Sequence, residues 1–265
     1  MKNPISMVGK KFLQLAENIT GILSLFFDTI RFIVIGIFTG KTVKRASIFQ
    51  QMVFSGTQSV IIVFFVSLFT GIVIAMQSAY QLKQVGALIY VAPMVSISMA
   101  RELGPVFTAL VVAGRVGSAI SAELGTMKVS EQIEALETMA LNPVKFLVIP
   151  RFLALVIMLP CLTIISDIVA ISGGLIVGVF NLHLNVYRYL AFSFDFMTWK
   201  DIWTGLVKSL CFGVIISMVS CYVGLRTSGG AEGVGISTTR SVVISFILVI
   251  LFDCMLTGLF YFSNM

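Results

Sequence analysis

The sequence predicts an all-α membrane protein, and three observations carry that prediction. Apolar residues make up 58% of the 265-residue chain and charged residues only 11%. Mean hydropathy is +1.03. The apolar residues are gathered into runs long enough to cross a bilayer. A soluble domain carries roughly 25% charged residues, so this chain could not cover its surface in water. A helix crosses the hydrocarbon with about 20 apolar residues, which leaves room for about five or six crossings, and about five transmembrane helices are expected.

The net charge is +6. The basic residues sit beside apolar runs, which points to orientation in a membrane and away from nucleic acid. Cys161, Cys211, Cys221 and Cys254 lie within apolar stretches without a CxxC pair. They read as small hydrophobes, neither a disulfide framework nor a metal site. The N-terminus lacks the clean apolar core and small-residue cleavage site of a signal peptide.

In chain order, Phe12, Leu15, Ile19, Ile22, Leu23, Phe26, Ile30 and Ile33 recur at spacings of three and four, one face of a helix. Lys10, Lys11, Glu17, Asp28 and Arg31 interrupt it. The segment reads as an N-terminal interfacial amphipathic helix; the rival is a crossing near 19–39 that would bury Asp28 and Arg31. With the basic linker at Lys41, Lys44 and Arg45 it forms a first unit, 1–48, ahead of a transmembrane domain, 49–265. Crossings are expected at about 49–76, 86–122, 146–180, 203–225 and 241–262. The run 86–122 is too long for one straight crossing, and Pro93 and Pro105 predict that it is kinked or partly re-entrant. Pro150 and Pro160 interrupt 146–180. Residues 181–201 and the glycine-rich 226–240 read as loops.

Five crossings with an inner N-terminus put Lys2, Lys10, Lys11, Arg31, Lys41, Lys44, Arg45, Lys128, Lys145, Arg151, Arg226 and Arg240 on the cytoplasmic side. Only Lys83, Arg188 and Lys200 fall outside, and Arg101, Arg115 and Lys208 fall within crossings. That bias predicts N-inside, C-outside and makes 123–143 cytoplasmic.

Within that block Val129, Ile133, Leu136 and Ala140 recur at helical spacing, while Glu131, Glu134 and Glu137 gather opposite. A short amphipathic helix over about 127–140 is expected. It is either a plain linker or a docking helix for a cytoplasmic partner. Upstream, ARELGPV holds Arg101 and Glu102 inside an apolar run. Each charge at mid-bilayer costs on the order of 2.5–3.5 kcal/mol on insertion scales. Such residues face a cavity or pair with other intramembrane charges, for which Asp167, Lys208 and Asp253 are candidates; the residues alone leave both readings open. Gly117, Ser121 and Gly125, at four-residue spacing, predict close helix packing, within the chain or against a second copy. GKT at 40–42 lacks the glycine of a phosphate loop, since Ile35 stands where it is needed. RTSGGAEGVG follows no strand and ends in no GK[ST]. His183 has no partner at ligand spacing, and nothing assembles a catalytic or metal site.

The run 101–150, above all ELGTMKVSEQIEALE, and GGAEGVGISTTRSVV further on resemble the MlaE family, the permease subunits of ABC systems that move phospholipids. The resemblance covers most of the chain from about residue 50. It implies a homodimer of permeases in a bacterial inner membrane, a plastid envelope being the lesser alternative. It implies a separate cytoplasmic ABC ATPase that holds ATP and Mg, an outer MCE-domain lipid-binding protein and a small STAS-domain protein on the ATPase. The 127–140 helix then corresponds to the coupling helix, with Val129, Glu131, Ile133, Glu134, Leu136 and Glu137 as its contact residues. Arg101 and Glu102 correspond to residues lining a lipid cavity between the two copies. The function implied is phospholipid movement between the inner membrane and the MCE partner, in support of outer-membrane lipid asymmetry. The competing classes are a self-sufficient secondary transporter, which predicts internal repeats that the two halves do not display, and a non-transporting scaffold.

Overall fold

A computed structural model describes the backbone at 4–39 and 45–262 and the side chains at 17–35 and 45–262. The side chains of Phe12, Leu15, Lys2, Lys10, Lys11, Lys41 and Lys44 lie outside the described residues. The helices are α1 (Pro4–Thr39), α2 (Arg45–Ser55), α3 (Val60–Gln84), α4 (Val91–Ser98), α5 (Gly104–Val112), α6 (Ser118–Val129), α7 (Gln132–Thr138), α8 (Ile149–Phe180), α9 (Val186–Asp195), α10 (Trp199–Leu225) and α11 (Gly230–Phe262). No strand occurs among the described residues.

Among the described residues, six stretches are long and apolar enough to cross a membrane: Glu17–Ile35, Arg45–Gln84, Leu88–Val129, Val144–Phe180, Trp199–Leu225 and Gly230–Phe262. Five match the expected crossings. In the sixth, which belongs to α1, Leu25 and Thr29 are buried while Asp28 and Arg31 are exposed. The charges therefore sit on the face turned from the bundle, as in an interfacial helix.

Two of the prolines are accommodated by a common device. Pro105 has no N–H and its ring crowds the carbonyl four residues back. The preceding turn, Met99–Leu103, widens to a π turn in which the Gly104 amide reaches the Met99 carbonyl. Pro150 is likewise preceded by a π turn, Val144–Val148. A third π turn, Ala113–Gly117, has no proline and contains Arg115. The run Leu88–Val129 is thus one helical column with two wide turns. Pro160 is carried inside α8.

The largest correction concerns the segments read as loops. Residues 186–195 form α9, whose Tyr189 is 1% exposed; Asn185 caps it by accepting from the Tyr187 amide at 2.8 Å. The glycine-rich stretch is helical from Gly230 onward, and only 226–229 remain as a turn, closed by Gly229 and Gly230 at φ 93° and 67°. α9 is rich in aromatic and aliphatic residues but, at 10 residues, is too short to register as a crossing, while the first turns of α11 are mostly small and polar and carry no apolar stripe.

α10 is the axis of the bundle: 67% of its most apolar window is buried, against 11% for α11. It packs on α8, α6 and α11, while α3 lies along α8. The core joins Leu124 of α6, Leu155 and Leu159 of α8, and Ile216 and Val219 of α10. Hydrocarbon tails give apolar side chains no reason to prefer a protein neighbour, so close backbone approach does the packing. At α3 and α8 a Cβ on Gly71 would strike the Ala170 carbonyl, and one on Gly173 would lie 2.5 Å from the Leu68 carbonyl. Ser67 donates to Ser166 at 2.8 Å across the same crossing.

Gly71→Ala should therefore lower the unfolding free energy in detergent by about 1–3 kcal/mol, the range of overpacking, because a carbonyl cannot move aside as a side chain can. Gly258→Ala, where nothing lies within 4 Å, should change it by about 1 kcal/mol or less. Reversible unfolding in mixed micelles checks both.

Candidate functional site

The site is built around one enclosed cation. Lys208, in the middle of α10, is 1% exposed. Its Nζ pairs with the Glu102 carboxylate, contacts Asp253 Oδ1 at 2.9 Å and donates to the Thr257 hydroxyl at 2.7 Å. The Thr257 hydroxyl donates in turn to the Asp253 backbone carbonyl at 2.8 Å. Three elements meet here: the π turn Met99–Leu103 brings Glu102, α10 brings Lys208, and α11 brings Asp253 and Thr257 one helical turn apart. Gly205, one turn before Lys208, lets α10 close on the π turn, since a Cβ there would collide with the Ala100 carbonyl. The ammonium is sealed, but the Glu102 and Asp253 side chains keep 34% and 22% of their surface. One cation faces two carboxylates, and the acidic side of the cluster is the open side.

Arg101 and Glu102 are adjacent in sequence but serve different places. Arg101 Nη1 lies 3.5 Å from Asp201 Oδ1 and stays 37% exposed. It lines a cleft of about 470 Å³ with Ile97, Thr198, Thr204 and Tyr261. Asp201 also accepts from the Thr198 amide at 2.8 Å and hydroxyl at 2.7 Å, closing a capping box at the start of α10. Of the candidate partners for the buried charges, Lys208 and Asp253 are in the cluster. Asp167 is not: it sits against Gly104, and its Oδ1 is buried without a hydrogen bond.

Asp201 and Thr257 escaped the sequence reading. Thr198-x-x-Asp201 is the S/T-x-x-D/E pattern of a helix start and could have revealed the first. A lone threonine in an apolar run carries no signal for the second. Arg115, left unassigned within a crossing, donates to the Phe54 carbonyl at 3.1 Å, Ser59 Oγ at 2.7 Å and Gln58 Oε1 at 2.8 Å. It satisfies the helix break between α2 and α3, where the Phe54 carbonyl has left the helical ladder.

The amphipathic block is two elements where one helix over 127–140 was expected. α6 continues to Val129, the chain turns at Ser130 and Glu131, with Glu131 at φ 58°, and α7 begins at Gln132. Val129 thus belongs to the preceding helix, and Ala140 lies beyond α7 at φ 57°. Ile133 is buried and Leu136 packs against the core, while Glu131 and Glu137 are exposed. Glu134 pairs with Lys128 across the turn, and that hydrogen bond holds its carboxyl below the ordinary range. The small-residue row packs within the chain. A Cβ on Gly117 would lie 3.0 Å from Ser220 Oγ and one on Gly125 2.9 Å from Thr227 Oγ1. Ser121 is fully buried and donates to the Ser237 carbonyl at 3.4 Å.

Lys208→Met leaves two carboxylates unneutralised and should cost about 3–5 kcal/mol of unfolding free energy. The triple change Glu102→Gln, Lys208→Met, Asp253→Asn should cost distinctly less, because no charge is stranded. Reversible unfolding of the single and triple variants in micelles decides; equal losses would mean that the ion pairing contributes nothing.

Similarity to known proteins follows the same elements. The family model described as Permease MlaE matches residues 48–259. A probable ABC transporter permease protein of Rickettsia typhi is 40% identical over 259 residues, 98% of each chain. One of Synechocystis sp. is 40% identical over 219 residues, 83% of each. The protein TRIGALACTOSYLDIACYLGLYCEROL 1, chloroplastic, of Arabidopsis thaliana is 35% identical over 231 residues, 86% of this chain and 65% of that one.

Proposed function

The chain belongs to the MlaE permease family, and from that premise we propose that it is the membrane half of an ABC transporter whose cargo is phospholipid. The coarse part, a multi-pass ABC transporter permease, follows from membership and from the six apolar helices. The observation that carries the cargo is the half-open Glu102–Lys208–Asp253–Thr257 cluster within an apolar bundle. Acyl chains need no charge. A headgroup does, and intramembrane charge left partly accessible marks a substrate path more often than a strut. The relative named for trigalactosyldiacylglycerol favours a glycerolipid cargo as well.

In this reading two copies face each other and enclose a cavity, with the lipid headgroup near Arg101 and Glu102 and the tails on apolar helix faces. The N-terminus is cytoplasmic and the C-terminus periplasmic, in a bacterial inner membrane. A separate ATPase, holding ATP and Mg, docks on α7 through Glu131 and Glu137. Ile133 and Leu136 anchor α7 to the core, so motion of the docked partner reaches α6 and the column above it. Lipid passes to or from an MCE-domain protein on the outer side, which serves outer-membrane lipid homeostasis; a STAS-domain protein rides on the ATPase. The units are the interfacial helix and linker, 1–48, and the permease domain, 49–265.

Two experiments test separate halves of the proposal. Charge reversal at Glu131 and Glu137, neither of which has an ion pair among the described residues, should reduce co-purification of the ATPase at least severalfold. Undiminished association would remove α7 as the docking element. Arg101→Ala and Glu102→Ala should lower the phospholipid recovered by mass spectrometry from the assembled complex. Unchanged occupancy would leave the cluster as a structural ion pair, and transport by the purified chain without an ATPase would favour a self-sufficient transporter.

A further inference from the structure

α10 carries the chain about 40 Å from the Arg101 cleft, at 1.5 Å per residue, to a second cavity of about 500 Å³ where α10 turns into α11. Its wall combines Lys128, Arg226 and Arg240 with the Tyr222 and Ser228 hydroxyls, and no carboxylate among the described residues lines it. Lys128 already shares its charge with Glu134. Arg226 and Arg240 form no ion pair among the described residues. Among the described residues, the cavity therefore presents two exposed guanidinium groups without a counter-charge.

The cavity is also shaped at one edge. Arg226 Nη1 lies 2.5 Å from the Tyr222 hydroxyl oxygen, and its guanidinium carbon 5.1 Å from the centroid of that ring. Tyr222 is held in turn by α1, where Gly21 leaves room for its hydroxyl and any Cβ would collide with it. Ile22 of α1 and Ile244 of α11 add an apolar wall. A cationic fork beside an apolar wall, next to a helix whose charges face away from the bundle, fits one kind of ligand.

We propose that this cavity binds the phosphate group of an amphiphile, with Arg226 and Arg240 taking the phosphate oxygens and the Ile22–Ile244 wall taking the start of an acyl chain. Guanidinium forks match phosphate in geometry and charge. The site lies at the other end of the bundle from Arg101 and Glu102, and it stands whether or not those residues hold cargo. The same chemistry would also accept a soluble phosphate compound.

The test uses the full chain in neutral detergent micelles, with binding read by native mass spectrometry and by the thermal midpoint. Phosphatidylglycerol should bind and raise the midpoint, and diacylglycerol with the same chains should not. Arg226→Gln and Arg240→Gln should each weaken phosphatidylglycerol binding roughly tenfold, the worth of one hydrogen-bonded charge, while Arg188→Gln, an exposed arginine on α9, should not. Because Arg226 also stacks on Tyr222, the Arg240 variant is the cleaner arm. A midpoint raised by inorganic phosphate as strongly as by the lipid, and lost in the same two variants, would assign the site to a soluble phosphate. Undiminished binding in the Arg226→Gln/Arg240→Gln double variant, or equal binding of diacylglycerol, would overturn the proposal.

Discussion

An ammonium group sealed inside an apolar bundle is the constraint that orders this molecule. Lys208 is 1% exposed, and no water in the hydrocarbon can share its charge. Its compensation must come from side chains, and the sources are far apart in sequence: Glu102 is 106 residues away and Thr257 is 49. Meeting that demand brings the π turn, α10 and α11 to one point. Gly205 is needed for the same reason, since the approach that lets Lys208 reach Glu102 leaves no room for a Cβ against the Ala100 carbonyl. Polarity and close packing are thus two sides of one requirement.

The same logic governs the backbone. At Pro105, at Pro150 and at the break between α2 and α3, where a helical hydrogen bond is lost inside the apolar region, something else takes the freed group or the helix widens. At Pro105 and Pro150 the turn becomes π-helical. Between α2 and α3, Arg115 reaches over from the other π turn to the Phe54 carbonyl. The arginine is not a stray charge in a crossing but the donor that a discontinuous helix requires. π turns recur at functional sites because they re-aim side chains. Here one turn sends Arg101 toward Asp201 and Glu102 toward Lys208, although the two are neighbours in sequence.

Much of this was legible in the residues, and the misses have physical reasons. Length and apolarity identify a crossing because the bilayer imposes both, so the five long runs and their order were readable. Prolines marked the bends. The charged residues of the site were visible as charges in apolar runs, and Lys208 and Asp253 stood among the candidate partners, but which acid meets which base depends on how three helices pack. Helix α9 and the first turns of α11 were missed for different reasons: α9 is apolar on one face, with Tyr189 and Phe192 in a core cluster, but far too short for a crossing, whereas α11 opens on small and polar residues that show no stripe. The elbow before α7 was hidden because Val129 and Ile133 keep helical spacing across it, and only the left-handed backbone at Glu131 separates the two helices.

The early start of α11 has a mechanical consequence. Its 33 residues rise about 50 Å at 1.5 Å each, against about 30 Å of hydrocarbon. Standing upright, the helix would extend a third or more of its length beyond the apolar slab, and no proline lies along it. A stiff rod that emerges from the bilayer without a hinge cannot absorb a sideways push at its polar end. It must tilt as a whole, and Asp253 and Thr257 ride near its far end. Anything that leans on the emerging turns of α11 thereby moves the partners of Lys208, tens of ångströms away, with no intervening joint.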